Sequence, residues 1–182
     1  MNPLILCIIG IIALICILQP KDNKANIKRE MKYRTPRFSF TPDPLPPLEL
    51  HEIFIFGSNT AGEHAGGAAR VAVDKYGAQW GNGYGMQGQS YAIPTLDVSE
   101  TLSNGICERV PIMEVANHIL ELYIFAMKKE NEKKHFYMTK IGCGIAGFTI
   151  EEMKNIFVKY EKYRPHNVIL PAEFVEEEPL SC

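Results

Sequence analysis

Two glycine-rich loops carry the residue types and spacing that could do chemistry in this chain. The first extends from Gly57 to His64 and leads into the pair Gly66-Gly67, and the second extends from Gly142 to Phe148. Each loop follows an apolar run typical of a buried strand and precedes a pattern typical of a helix. A strand that enters a helix through such a loop points free backbone N–H groups at an anion. The loops therefore predict a diphosphate site, with close packing of helix on sheet as the alternative role of the glycines.

Side chains within the two loops are the candidates for catalysis. Asn59 could orient a bound ligand by hydrogen bonds, and Glu63 and His64 could position or activate a water molecule. The alternative is that Glu63 and His64 are solvated loop residues. Cys143, among free N–H groups near a helix start, would have a lowered thiol pKa, as a nucleophile needs. Since no base is placed beside Cys143, we favour the interpretation that a small residue is needed where a phosphate must fit.

Other ligand-binding motifs are weak or missing in the sequence. The five cysteines, at positions 7, 16, 107, 143 and 182, have neither the spacing of a metal site nor that of a disulfide framework. We therefore predict no metal and no cofactor, and reduced thiols in a reducing compartment. The G-x-G-x-x-G spacing of dinucleotide enzymes occurs at Gly142, Gly144 and Gly147, but this spacing alone is a weak signal.

The elements that must position these loops follow one another as strands and helices. Strand-like runs cover 53–56, 91–93, 135–141 and 166–170, and helical patterns begin near residues 66, 111 and 149. Gly77 marks a left-handed helix end, and Thr149 with Glu152 forms a capping box. This alternation predicts an α/β domain with helices on both faces of a sheet, and both loops at its C-terminal edge. A third glycine-rich stretch, 79–90, is either a surface hairpin, which we favour, or a loop beside a ligand.

Charge is distributed unevenly along the 182 residues. The net charge is −2, and 46% of the residues are hydrophobic, enough for one domain with a sizeable core. Residues 21–40 hold seven lysines and arginines against two acidic residues, while residues 1–20 hold no charged side chain. The balance is therefore +5 for 21–40 and −7 for 41–182. An acidic domain repels a phosphate backbone at long range, which argues against nonspecific nucleic-acid binding.

The sequence divides into four parts. Residues 1–20 contain the apolar run 4–18, residues 21–47 are a basic and then proline-rich linker, residues 48–175 form the domain, and residues 176–182 are an acidic tail. Fifteen apolar residues fall short of the ~20 that span a bilayer comfortably. A short membrane anchor, a cleaved signal and a true start at Met31 all remain open. If the run inserts, the basic residues after it would keep the domain on the cytoplasmic side.

Three motifs taken together resemble those of the macrodomain superfamily, in particular its small bacterial and phage members. They are F-G-S-N at Phe56–Asn59, G-Q-S-Y-A-I-P-T at Gly88–Thr95 and I-G-C-G-I-A-G-F at Ile141–Phe148. The resemblance covers roughly residues 36–174. It implies a mixed central sheet flanked by helices on both faces, with ADP-ribose lying across the C-terminal sheet edge.

The resemblance also implies roles for individual residues. Asn59 would face the distal ribose, Gly66 and Gly67 would lie beside that ribose and the diphosphate, and Phe148 would lie near the distal ribose. The full implied binding set is Gly57, Ser58, Asn59, Gly66, Gly67, Gly142, Cys143, Gly144, Ile145, Ala146, Gly147 and Phe148. The sequence departs from the family where Ala68-Ala69 replace the acidic residue that some hydrolytic members carry after the glycine pair. Binding therefore carries over better than catalysis.

The function expected from sequence is binding of ADP-ribose or a related nucleotide diphosphate through the two loops. One alternative is an ADP-ribosyl hydrolase acting on modified substrates, with Asn59, Glu63 and His64 as its candidate residues. The other is a protein-binding scaffold in which the glycine loops are purely structural. The expected location is the cytoplasm, with an anchor on the inner face of the membrane if residues 4–18 insert.

Overall fold

Six strands and three α-helices make up the described part of the chain, residues 35–98, 107–128, 131 and 133–175, in a computed structural model. The strands are β1 (Glu52–Asn59), β2 (Gly85–Gln87), β3 (Ser90–Asp97), β4 (Glu108–Arg109), β5 (His135–Met138) and β6 (Val168–Ile169). The helices are α1 (Gly67–Tyr76), α2 (Ile112–Met127) and α3 (Ile150–Tyr160).

The strands form one mixed sheet in the order β2-β3-β1-β5-β6, with β4 paired to β3. Strand β1 lies at the centre and runs parallel to both β3 and β5, and β5 runs parallel to β6. Strands β2 and β4 pair antiparallel with β3. The C-terminal ends of β1, β3 and β5 therefore meet at one edge, and both glycine loops leave the sheet there, as predicted.

Helices cover both faces of the sheet because side chains of β1 alternate between two cores. Ile53 and Ile55 pack with α2 and α3 on one face. Phe54 and Phe56 pack with α1 on the other, where the rings of Phe54 and Tyr76 stack with centroids 4.9 Å apart. Full burial of such a side chain contributes about 1.5–3 kcal/mol. The predicted α/β fold with helices on both faces is confirmed.

Local end signals were read correctly from the sequence for two helices. Gly77 ends α1 with φ 74°, in the left-handed region, and Thr149 with Glu152 forms the capping box of α3. Helix α2 begins near residue 111, as predicted, with Pro111 as its cap, and it ends at Met127.

The proline-rich segment 36–47 is not the linker that we predicted. The Thr41 N–H donates to the carbonyl of Leu170 at 2.8 Å, and the Thr41 hydroxyl donates to the carbonyl of Ile169 at 2.9 Å. Arg37 pairs at 2.8 Å with Glu52, whose side chain is almost fully buried. The segment thus covers the edge of the sheet beside β6, which protects backbone groups that an open edge would expose.

The third glycine-rich stretch is a hairpin, the interpretation that we favoured. Strands β2 and β3 pair antiparallel through Gly88 and Gln89. A Cβ on Gly83 would lie 2.1 Å from the carbonyl oxygen of Asn59. The segment that precedes β2 therefore packs its backbone directly against the first glycine loop.

The predicted N-terminal anchor and acidic tail lie outside the described residues. Within the described residues, every helix is too short or too polar to cross a membrane.

Candidate functional site

Two adjacent cavities lie at the C-terminal edge of the sheet, beside the second glycine loop. The smaller cavity, of about 340 Å³, is lined by both loops and by the start of α1. The larger cavity, of about 890 Å³, lies between the proline-rich segment, α1 and the second loop. Both are lined by Ala68, Thr139, Lys140 and Gly144, so the two cavities form one cleft.

Helix α1 begins at this cleft with backbone donors that have no acceptor among the described residues. Its cap, Gly66, has no side chain to accept a hydrogen bond, and the first intrahelical bond runs from the Arg70 N–H to the Gly66 carbonyl at 3.1 Å. The N–H groups of Gly67, Ala68 and Ala69 precede that bond, and the first turn has no acidic residue. The positive end of the helix dipole is thus left for an anion in the cleft.

The second loop offers another set of donors. It is closed by bonds from the Gly147 N–H to the Gly144 carbonyl at 3.0 Å and from the Phe148 N–H to the Gly142 carbonyl at 2.9 Å. Among the described residues, the N–H groups of Gly144, Ile145 and Ala146 have no acceptor. Helix α3, in contrast, is capped by Thr149, so the donors of this region belong to the loop.

Gly144 is a glycine that the fold itself does not require. A Cβ at this position would meet nothing within 4 Å, and its φ lies outside the left-handed region. Neither packing nor backbone conformation requires glycine here. Gly144 therefore serves to leave open space beside the free N–H groups.

The predicted binding residues divide between the two cavities. Those that line the smaller cavity are Gly57, Ser58, Asn59, Gly66, Gly67, Gly142, Gly144, Ile145 and Ala146, together with the catalytic candidate Glu63. Cys143 and Phe148 line the larger cavity, and Gly147 lines neither of the two. Phe148 and Asn59 therefore face different cavities, which differs from the expectation that both lie near one ribose.

Asn59 holds the first loop closed. Its Oδ1 accepts from the Glu63 N–H at 2.9 Å, and its Nδ2 donates to the Glu63 carbonyl at 2.9 Å. An asparagine side chain that bonds to nearby backbone in this way stabilises a turn. Both polar atoms of Asn59 are thus used within the loop, and a role in orienting a sugar stays a prediction.

His64 is neither solvated nor exposed to the cleft, so the expectation of a solvated loop histidine is wrong. Its side chain is fully buried, with Nε2 2.8 Å from the Ser58 hydroxyl and its ring edge-to-face with Phe56 at 5.1 Å. His64 lines neither of the two cavities, so it has no access to a water molecule there. Burial lowers the pKa of the imidazole.

Acid is expected to destabilise the fold through His64. Because its pKa is lower in the folded than in the unfolded protein, the unfolded state binds more protons between the two values. Stability contributed by the neutral ring is therefore complete above pH ~6.5 and is lost as the pH falls toward the folded pKa. In thermal unfolding between pH 5 and 8, the unfolding temperature should fall more steeply with decreasing pH in wild type than in His64→Gln. Equal pH slopes in the two proteins would contradict this.

Cys143 lacks the property that a nucleophile needs. Burial raises the pKa of its thiol, and nearby Lys140 only partly counteracts this. A thiolate nucleophile is therefore disfavoured at this position, and the need for a small residue beside a phosphate stays a prediction.

The aromatic ring of Phe148 is part of the core. It is 4% exposed, and the guanidinium of Arg109 lies 3.8 Å from its ring centroid. Phe148 can therefore contribute only a small surface to a ligand in the larger cavity.

Lys140 is the cleft residue that sequence reasoning missed. It lines both cavities, and its Nζ lies 3.0 Å from Asp43 and 3.0 Å from Glu173. Hydrogen bonds that the Lys140 ammonium donates to these two carboxylates raise the pKa of the lysine. Its place two residues before the second glycine loop was the available signal, whereas Asp43 lies in the segment that was predicted to be a linker.

A possible cation-binding group lies away from the cleft. Ligand atoms of His51, Glu52 and His135, near the starts of β1 and β5, lie within 4.8 Å of one another. The Glu52 carboxylate already accepts from Arg37 and from the Glu49 N–H, each at 2.8 Å. This favours a structural ion pair over a metal site.

Comparison with known proteins adds little to this geometry. No family model matches the chain, and no curated protein matches it. A solved structure named "Structure of a Protein of Unknown Function from Bacteroides thetaiotaomicron" is 19% identical, with a TM-score of 0.46. The match covers 69% of this chain and 90% of that chain. A likeness at this level carries no argument about function.

Proposed function

We propose that the protein binds ADP-ribose or a related nucleotide diphosphate across the two cavities. The observation that carries this proposal is the meeting, in one cleft, of two sets of N–H groups that have no partner within the described part of the chain. They lie at the start of α1 and at residues 144–146. A hydrogen bond from such a group to a charged acceptor contributes about 1.5–3 kcal/mol. Backbone donors of this kind bind an anion even in an acidic domain.

The linings of the two cavities suit different ends of such a ligand. The smaller cavity has polar groups at Asn59, Glu63 and Thr95, which suit sugar hydroxyls. The larger cavity has the apolar surfaces of Leu45, Phe54 and other residues, together with several prolines, and these suit a base. The diphosphate would lie where the two cavities share Gly144 and Lys140.

Binding without hydrolysis is the outcome that we favour. His64 is buried away from the cleft, and the Cys143 thiol has a raised pKa, so neither provides an activated group. Hydrolysis is a second candidate function, because Glu63 is exposed and lines the smaller cavity.

Calorimetric titration of the purified protein tests the proposal. We expect saturable binding of ADP-ribose, weaker binding of ADP and no measurable binding of adenosine, because adenosine lacks the groups that the N–H donors bind. Absence of binding by both diphosphates would contradict the proposal.

Incubation with an ADP-ribosylated protein is expected to release no ADP-ribose. Turnover that falls ~10²–10⁴-fold in Glu63→Gln would instead assign hydrolysis to this site.

A further inference from the structure

Ser58 and His64 form a buried hydrogen-bonded pair at the end of β1. The Ser58 Oγ lies 2.8 Å from His64 Nε2, and the two residues are 5% and 0% exposed. Alternation along β1 places Ser58 on the same face as Phe54 and Phe56, which is the face that α1 covers. Ser58 thus lies under the loop that leads into α1, and it lines the smaller cavity.

The surroundings of His64 assign its ring hydrogen to Nε2. His64 Nδ1 is buried and has no hydrogen-bond partner among the described residues. A neutral imidazole has one N–H donor and one acceptor nitrogen. A buried N–H without an acceptor is rarer than a buried acceptor without a donor. The hydrogen therefore belongs on Nε2, which donates to the Ser58 oxygen.

This assignment leaves the hydroxyl hydrogen of Ser58 for another acceptor. Within the described residues, the other hydrogen-bond contact of the Ser58 hydroxyl is with the Asn59 carbonyl oxygen, at 3.3 Å. That distance is long for an O–H donor, which usually lies about 2.7–2.8 Å from its acceptor. A ligand oxygen in the smaller cavity would be a better acceptor.

We propose that Ser58 is a phosphate-binding hydroxyl and that His64 is the residue that positions it. The proposal rests on the proposed function and adds a side-chain donor to the backbone donors of the cleft. A phosphate oxygen is the acceptor that fits, because the neighbouring groups at the start of α1 are N–H donors and the first turn has no acidic residue. Donation from Nε2 to the hydroxyl polarises it and strengthens its own bond to an anion.

Substitution of Ser58 by alanine tests the hydroxyl. We expect the affinities for ADP-ribose and for ADP to fall alike, by about ten-fold or more, the effect of one lost bond to a charged group. Ser90→Ala is the matched control, since Ser90 is also buried, lines neither cavity and donates to the Gln87 carbonyl at 2.8 Å. Its affinities should equal those of wild type.

Two further measurements test the role of His64. His64→Gln retains an N–H donor and should keep more of the ADP affinity than His64→Leu, which has none. Nitrogen-15 NMR of the wild-type imidazole should show the hydrogen on Nε2, and this measurement depends on no variant.

The outcomes separate this proposal from the proposed function. Wild type that binds neither ADP-ribose nor ADP overturns both. Wild type that binds both, with Ser58→Ala unchanged, overturns the role of Ser58 alone. A loss confined to ADP-ribose would assign Ser58 to the distal ribose and overturn the phosphate assignment. A ring hydrogen on Nδ1 would overturn the role of His64.

Discussion

Replacement of Gly144 by valine is expected to lower the affinity for ADP-ribose by about thirty-fold or more. The branched side chain would occupy space beside the N–H groups of residues 144–146, which the proposal assigns to the diphosphate. Loss of one charge-assisted hydrogen bond there corresponds to about 2 kcal/mol. Calorimetric titration with ADP-ribose measures the change.

Fold stability separates this effect from damage to the protein. Since a Cβ at position 144 meets nothing within 4 Å, the valine variant should unfold at nearly the wild-type temperature. Gly144→Ala, with a smaller side chain, should lose less affinity than the valine variant. A folded Gly144→Val protein that binds ADP-ribose as wild type does would show that the ligand does not use this loop.

The second large effect is expected from Gly62→Ala, which should destabilise the fold by about 3 kcal/mol or more. Gly62 has φ 70°, a conformation that costs an alanine about 1–2 kcal/mol. Its added Cβ would also lie 2.3 Å from the Asn82 nitrogen, a backbone atom that no side-chain rotation can move away. Urea unfolding monitored by circular dichroism measures the loss.

Gly66→Ala is the control for this substitution. It lies in the same loop region, but its Cβ would meet nothing within 4 Å and its φ is −150°. Its cost should stay below about 1 kcal/mol. Equal stability of Gly62→Ala and Gly66→Ala would mean that the contact between the first and third glycine stretches does not hold the first loop.

This contact explains how a remote stretch shapes the cleft. The Gly62 N–H donates to the Asn59 carbonyl at 3.1 Å, and the Gly81 N–H donates to the Gly62 carbonyl at 3.0 Å. The segment 79–84, which precedes β2, thus stabilises the first glycine loop. Gly83 packs against that loop, whereas Gly88 of the hairpin turn lies against Tyr76 and Gly77.

Features that depend on neighbours in sequence were predicted well. The end of α1 at Gly77 and the capping box at Thr149 each involve residues within one helical turn. The local sequence was therefore enough to predict them. Strand and helix alternation gave the α/β class for the same reason. The glycine pair marked the start of α1, which lies near residue 66 as predicted.

Features that depend on distant residues could not be read from local patterns. Thr41 bonds to Ile169, which lies 128 positions away in the sequence. The proline-rich segment therefore has the local pattern of a linker even though it packs against the sheet. The burial of His64 depends on the loop folding back over Phe56, and nothing in the loop sequence distinguishes a buried histidine from a solvated one. The place of Lys140 in the cleft depends on how both cavities meet beside it, which no local pattern shows.

The most direct test of the central claim is a titration of the isotope-labelled protein with ADP-ribose, followed by amide ¹H–¹⁵N NMR. The proposal predicts the largest shifts at the N–H groups of Gly67–Ala69 and of Gly144–Ala146, because these would donate to the diphosphate. It also predicts that ADP shifts the same two sets and that adenosine does not. Shifts confined to other parts of the domain, or none at saturating ADP-ribose, would contradict the assignment of this cleft as a nucleotide diphosphate site.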